Sequence, residues 1–220
     1  MVQNSSRRPE APIAGLLQTF AASLLALLLG LAVILLATDG GHAFTTEALR
    51  RGQVARTPQQ LPDFSLRDRA DQPAMLRQLL ASDGRVQIVD FVYTRCQTVC
   101  SVLGSVYQRL QQQVLERGLQ DKIGLLTISF DPVNDDAAAL RDYAARLRMD
   151  PAAWQIVTLA SVGDRRRLLD AFGIMVVPAP LGEFEHNAAL HIIDPAGRLV
   201  RIVDYEAINQ VIDIALATPR

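Results

Sequence analysis

Apolar residues follow two regimes along the 220-residue chain. From Gly15 to Ala37 they run almost unbroken (GLLQTFAASLLALLLGLAVILLA), and no charged residue occurs between Glu10 and Asp39. A helix over this stretch would be roughly 35 Å long, enough to cross a bilayer. Residues 40–60 (GGHAFTTEALRRGQVARTPQQ) are polar, with glycine at the start, Pro58 near the end and no sustained apolar period. They read as a tether. From Leu61 to the end the runs shorten and alternate in period, as in a globular domain. Pro62 to Leu66 predicts a short strand, RDRADQ a turn, and Leu76 to Ala81 a short helix stopped at Asp83-Gly84. Val86 to Tyr93 (VQIVDFVY) is β-branched and aromatic and predicts a central strand. Val99, Val102, Leu103, Val106, Leu110 and Val114 then recur at helical spacing, with Gly118 where a C-terminal stop belongs. Ile123 to Phe130 is the next strand, Asp135 or Asp136 caps a helix over Ala137 to Met149, and Trp154 to Leu159 is strand again. Asp164 opens a helix to Phe172. Strands at Ala188 to Ile193 and Arg198 to Val203 flank the turn Asp194-Pro195-Ala196-Gly197, and a helix runs from Glu206 to about Leu216. Alternating strands and helices ending in a hairpin and helix predict α/β architecture with a mixed sheet. The expected division is residues 1–39 as a cytoplasmic segment and transmembrane anchor, 40–60 as tether and 61–220 as one domain.

Composition sharpens this picture at two points. Hydrophobic residues make up 50% of the chain and the net charge is -1, which leaves no basic field for a phosphate backbone and argues against nucleic acid as a partner. Arg7 and Arg8 precede the apolar stretch and Asp39 follows it, so the positive-inside asymmetry places the N-terminus in the cytoplasm and the domain outside. Gly41-His42-Ala43 offers a small-x-small cleavage site, but the apolar run exceeds the 7–15 residues usual for a secretory signal. An uncleaved anchor is expected. The first ten residues lack the amphipathic Arg-rich stretch of an organellar import signal, so the expected location is a bacterial inner membrane, single pass, with the domain in the periplasm.

The two cysteines are Cys96 and Cys100, in YTRCQTVC. A bridge across so short a loop would constrain the unfolded chain by only about 2 kcal/mol, against more than 4 for a loop of 100 residues. Placement between the end of a central strand and the start of a helix suits a functional dithiol better, because free N–H groups and the helix dipole favour a thiolate there, and Arg95 adds to the effect. Residues four apart share a helix face, so both sulfurs can converge on one ion or on each other. A closed zinc site would need four Cys or His ligands, hence both His186 and His191. Two sulfurs and one nitrogen suit trigonal Cu(I).

These residues resemble the Sco/SenC family of membrane-anchored, thioredoxin-like copper proteins, over the chain from about Pro62 to the end. Tyr93, Thr94, Cys96 and Cys100 match the family's YTxC-xxx-C segment. Ser129-Phe130-Asp131-Pro132-Val133-Asn134-Asp135 matches its S-x-D-P-x-x-D segment, and His186 falls eight residues before Asp194 of the D-P-x-G turn, where the family keeps a distant copper-ligand histidine. The resemblance implies a thioredoxin-like mixed sheet flanked by helices, copper as Cu(I) or Cu(II), and Cys96, Cys100 and His186 as its ligands. It further implies delivery to the binuclear copper site of cytochrome c oxidase subunit II, with a copper donor protein or thiol reductant as second partner. Family members usually carry proline after each cysteine, where this chain has Gln97 and Ser101, so its loop is less rigid.

The remaining chemistry-bearing residues read more plainly. His191, in a place commonly taken by Tyr, is expected to be a partly buried strand histidine with one hydrogen-bond partner, an alternative ligand being the other reading. Residues 178–185 before His186 read as a mobile loop, with Glu183 and Glu185 solvated. Asp131, Asp135 and Asp136 are expected to shape a turn and cap a helix rather than bind Mg or Ca. Asp90 is either a buried acid tuning the thiols or a solvent-facing strand residue. Met149 and Met175 read as core filler, and Arg165, Arg166 and Arg167 as a solvated helix face.

Two functions compete. A metallochaperone would hold Cu(I) in an exposed, incompletely coordinated site and pass it on by ligand exchange. A thiol-disulfide oxidoreductase would instead use Cys96 and Cys100 catalytically, reducing that subunit or another exported protein through a mixed disulfide. The C-x3-C spacing and the lack of a proline directly before the Ala188 strand, with His186 near there instead, favour metal. A peroxidase would require T-x-x-C, and a transmembrane sensor more than a dozen cytoplasmic residues.

Overall fold

The computed structural model describes residues 13–38, 40–41, 45–96, 99–178 and 184–219. Residues 7–8, 39 and 42–43, on which the orientation and cleavage readings rest, lie outside them. Two units are distinct, residues 1–52 and 53–220. In the first, α1 (Ile13–Ala37) is the apolar helix, and Gly15–Ala37 is long and apolar enough to cross a membrane, with none of its most apolar window buried.

The segment read as a tether departs from expectation. It contains α2 (Thr46–Arg56), whose Val54 is fully buried, and β1 (Gln59–Gln60), which pairs with a strand of the main sheet. One buried valine is too sparse for a periodicity, so the helix had no apolar signature in the sequence.

The second unit continues with β2 (Ser65–Asp68), β3 (Pro73–Met75), α3 (Leu76–Asp83), β4 (Val86–Val92), α4 (Val99–Glu116) and β5 (Ile123–Ser129). Then come α5 (Ala137–Leu147), β6 (Trp154–Leu159), α6 (Arg165–Phe172), β7 (Val176–Pro178), β8 (Phe184–His186), β9 (Leu190–Ile193), β10 (Arg198–Val203) and α7 (Ile208–Ala217). Eight strands form one sheet in the order β1-β10-β9-β4-β5-β6-β2-β3, while β7 and β8 form a separate antiparallel pair. β4, β5 and β6 are mutually parallel, and the outer strands add antiparallel. Every residue of β4 and β5 is buried, which is why those segments are predominantly apolar without strict alternation, interrupted by the buried polar residues Gln87, Asp90, Thr127 and Ser129. α4 packs on β5 and α7, and α5 on β6.

The sequence signals act locally as expected. Gly84 closes α3 in the left-handed region (φ 71°) and the Asp136 side chain accepts from the Ala139 N–H to open α5. β2 begins three residues later than the expected strand; ahead of it residues 61–64 are irregular, and the backbone N–H of Phe64 and of Arg77 both donate to the Asp63 carboxylate rather than to a strand ladder.

The core is anchored by Trp154, fully buried, with its ring 5.2 Å from that of Tyr107 and its indole N–H donating to Thr127 Oγ1 at 2.9 Å. Trp154→Phe removes that bond and leaves a void, at a cost of about 2 kcal/mol. Urea denaturation is expected to show a lower midpoint at an unchanged slope, and an unmoved midpoint would contradict this role for the indole.

Candidate metal centre

β4 delivers the cysteine segment. After Val92 the chain turns, with the Cys96 N–H donating to the Tyr93 carbonyl at 3.1 Å, and α4 starts at Val99. The Cys96 side chain is only 8% exposed and packs into the core cluster, so it is more enclosed than the open site anticipated from the sequence. Cys100 lies in the first turn of α4, and His186 ends β8, its backbone opposite Val176. The side chains of Cys100 and His186, together with residues 97–98 and 179–183 and the side chain of Glu185, lie outside the described residues.

What fixes the turn is a buried carboxylate. Asp135, fully buried, accepts from the Thr94 N–H at 2.9 Å and the Thr94 hydroxyl at 2.6 Å, and from the Ser129 hydroxyl. Burial pushes its carboxyl up from the ordinary value, and the bonds from Ser129 and Thr94 oppose that. Asp131 sits beside it. Its carboxylate takes Arg165 at 2.7 Å, the Asn134 amide at 2.7 Å and Arg95 at 3.5 Å. Arg146 reaches the Thr94 carbonyl at 3.1 Å. The turn preceding the first cysteine is therefore held on its amide, its hydroxyl and its carbonyl.

A second set of contacts ties β8 to the same strand. The Tyr93 hydroxyl accepts from the Phe184 N–H and donates to the Phe184 carbonyl, both at 3.1 Å. The Phe184 ring packs 5.3 Å from Tyr93 and 6.0 Å from Phe130, with the Arg165 guanidinium 5.8 Å above it. Asn187 pins the base of the β7–β8 pair by accepting from the Met175 N–H at 2.7 Å and donating to the Gly173 carbonyl at 3.1 Å.

The family model of SCO1/SenC matches residues 53–217. The chain belongs to the SCO1/SenC family. A SCO1 protein homolog of Bacillus subtilis (strain 168) is 24% identical over 128 residues, 57% of this chain and 64% of that protein. The chain thus spans slightly less than two thirds of that relative's length. BsSco, a member of the Sco family of cytochrome c oxidase assembly proteins in which a disulfide switch was identified, is 20% identical with a TM-score of 0.62, covering 73% of this chain and 94% of that one. ScoI of Bradyrhizobium japonicum with copper bound is 20% identical with a TM-score of 0.56, covering 72% and 98%. These likenesses show the thioredoxin-like fold, a mixed sheet flanked by helices; in this chain the apolar α1 precedes it in sequence.

Two of the motifs that carry the SCO1/SenC resemblance are one hydrogen-bonded unit. Thr94 of YTRC is clasped by Ser129 and Asp135 of SFDPVND through the Asp135 carboxylate. Several expectations need correction. Residues 178–185 are not wholly loop, since Phe184–His186 is a strand paired with Val176–Pro178, a three-residue run too short to stand out in the sequence. Arg165 is not a solvated residue: it donates to the Phe130 carbonyl at 2.7 Å as well as to Asp131. Arg167 lies over the Phe64 ring at 4.9 Å, and only Arg166 is fully in solvent. Met149 is core, but Met175 is 68% exposed, in the turn entering β7. His191 is buried fully rather than partly, its Nε2 3.0 Å from the Phe172 carbonyl and its ring edge-on to Phe91 and Phe172. Phe184, Asn187 and Arg146 carried no sequence signal, because each acts across more than ten positions of chain.

Asp90 is buried rather than solvent-facing. Its Oδ1 has no hydrogen-bond partner among the described residues, and burial pushes the carboxyl up to about 7 against the pull of the neighbouring Thr127 and Tyr107 hydroxyls. Because the folded value lies above the unfolded one of 3.8, the protein is favoured by this group below about pH 4 and loses that advantage as pH rises through 7. Asp90→Asn lacks the loss, so its stability relative to the native chain is expected to improve by about 4 kcal/mol between pH 4 and pH 8. Parallel stability curves for the two proteins would sink this account.

Asp135→Ala strands the buried Thr94 N–H and is expected to cost about 3 kcal/mol. Removing the neighbouring helix cap by Asp136→Ala costs about 1 kcal/mol. Equal shifts in urea midpoint for the two would show that the Thr94 clasp carries no special weight.

Proposed function

We propose that this chain is an extracytoplasmic copper metallochaperone. Cys96 and Cys100 thiolates and the His186 imidazole take Cu(I), two soft donors and one borderline donor suited to trigonal coordination of that ion. The observation that carries this reading is the convergence of two strands: β4 leads into the cysteine segment, and β8, which ends at His186, is bonded to Tyr93, three residues before Cys96. Copper bound by Bradyrhizobium japonicum ScoI supports it. Copper here is cargo. Three ligands leave room for an incoming thiolate or imidazole to join before the outgoing one leaves, so the ion passes without being released to water. The enclosure of Cys96 gives the cargo protection, and transfer then requires the cysteine turn or the β7–β8 pair to shift.

The receiving partner in this proposal is cytochrome c oxidase subunit II, in line with BsSco belonging to the Sco family of cytochrome c oxidase assembly proteins. The apolar α1 anchors the protein in a bacterial inner membrane with its N-terminus in the cytoplasm and the domain in the periplasm, and a copper donor or thiol reductant reloads it there. A second reading is a thiol-disulfide oxidoreductase acting on the same subunit. It is favoured by Cys96 and Cys100 lying together where β4 gives way to α4, and by the disulfide switch of BsSco.

Anaerobic Cu(I) titration of the reduced full-length protein in detergent, against a competing chelator, separates the two. The expected result is one copper per chain, with affinity lowered on the order of a hundredfold, about 2.7 kcal/mol, in each of Cys96→Ala, Cys100→Ala and His186→Ala. A native protein that fails to compete for copper, yet exchanges its disulfide rapidly with a reduced partner, would replace the chaperone with the oxidoreductase.

A further inference from the structure

We infer that the Tyr93 hydroxyl is a positioning group: it clasps the strand carrying His186 to the strand leading into the cysteines, and so sets how often the third ligand of the proposed site is in place. The inference rests on the chaperone reading for its copper readout. Tyr93 is 1% exposed, and its carbonyl accepts the Cys96 N–H. Its hydroxyl takes both backbone groups of Phe184, the N–H and the carbonyl, each at 3.1 Å. One side chain thereby does for β8 what a neighbouring strand would do in a sheet.

The need for such a clasp follows from topology. β7 and β8 pair only with each other, and neither joins the eight-stranded sheet by a ladder among the described residues. A lone two-stranded pair is marginal in water, so its docked position depends on what fastens it. At its base Asn187 bridges to Met175 and Gly173, which holds the two strands near the end of α6. Nearer the cysteines the fastening is Tyr93, with the Phe184 ring set among Tyr93, Phe130 and the Arg165 guanidinium. Arg165 also bonds Asp131, next to the Asp135 carboxylate that fixes Thr94. Cysteine turn and histidine strand thus share one set of supports. If docking of β8 is a two-state equilibrium, the apparent copper dissociation constant is the intrinsic one divided by the docked fraction. Weakening the clasp then weakens copper binding without touching a ligand.

The test uses Tyr93→Phe in the full chain, which keeps the ring and deletes both bonds, with urea denaturation showing that the variant is folded. Amide hydrogen exchange is read first, because it needs no metal. The Phe184 amide is expected to exchange about tenfold faster in the variant, while the Cys96 amide, which bonds the Tyr93 carbonyl, is unchanged. Cu(I) affinity is expected to fall about tenfold in Tyr93→Phe, and not to fall further when His186→Ala is already present. Unchanged exchange at Phe184 overturns the clasp. A copper loss of equal size with and without His186 overturns the positioning role, since the tyrosine would then act on the cysteine turn or on stability alone. Faster exchange at Phe184 in a protein whose native form binds no copper leaves the clasp standing and removes the chaperone reading instead.

Discussion

A carboxylate withdrawn from water must be surrounded by donors, and the region around the cysteines is organised by that requirement at Asp135. Its partners come from the ends of two adjacent parallel strands, Thr94 after β4 and Ser129 closing β5, so satisfying one buried charge aligns two strand ends. Asp131, four residues earlier, extends the arrangement outward to Arg95 and Arg165. The arrangement costs desolvation and returns geometry: the segment that leaves the sheet toward Cys96 has its amide, hydroxyl and carbonyl all engaged. A cysteine held this way depends little on the rigidity of its own loop, which bears on the absence of proline at Gln97 and Ser101.

The same logic separates the two aspartates that follow one another in sequence. Asp136 caps a helix at the surface, a local and replaceable task. Asp135 closes a contact with a residue 41 positions away and is therefore tied to the fold as a whole.

Much of this was legible in the sequence where the physics is local. The buried runs of β4, β5 and β6, the glycine stop of α3 and the cap of α5 declare themselves through composition and spacing, because each depends on neighbours within a few residues. The cysteine segment, the S-x-D-P-x-x-D segment and the distant histidine were visible as motifs. Their physical connection was not: nothing in the order of residues announces that Thr94 meets Asp135, or that a phenylalanine ahead of His186 has its backbone held by Tyr93. Arg165 illustrates the limit well. Within a run of three arginines it looks like surface charge, and only the return of the chain past the end of β5 gives it Asp131 and the Phe130 carbonyl. α2 and the β7–β8 pair escaped for the opposite reason, being too short or too polar to show a period.

The outermost strands of the large sheet have two and three residues, β1 and β3, and β3 opens with Pro73, which has no N–H to offer. Neither margin presents a ladder long enough for a foreign strand to extend. Copies anchored in a membrane, as proposed for this chain, would meet at high local density in two dimensions, where sheet-to-sheet association would be the easiest error. Blunted margins remove that route to self-association and leave recognition to helices, turns and side chains.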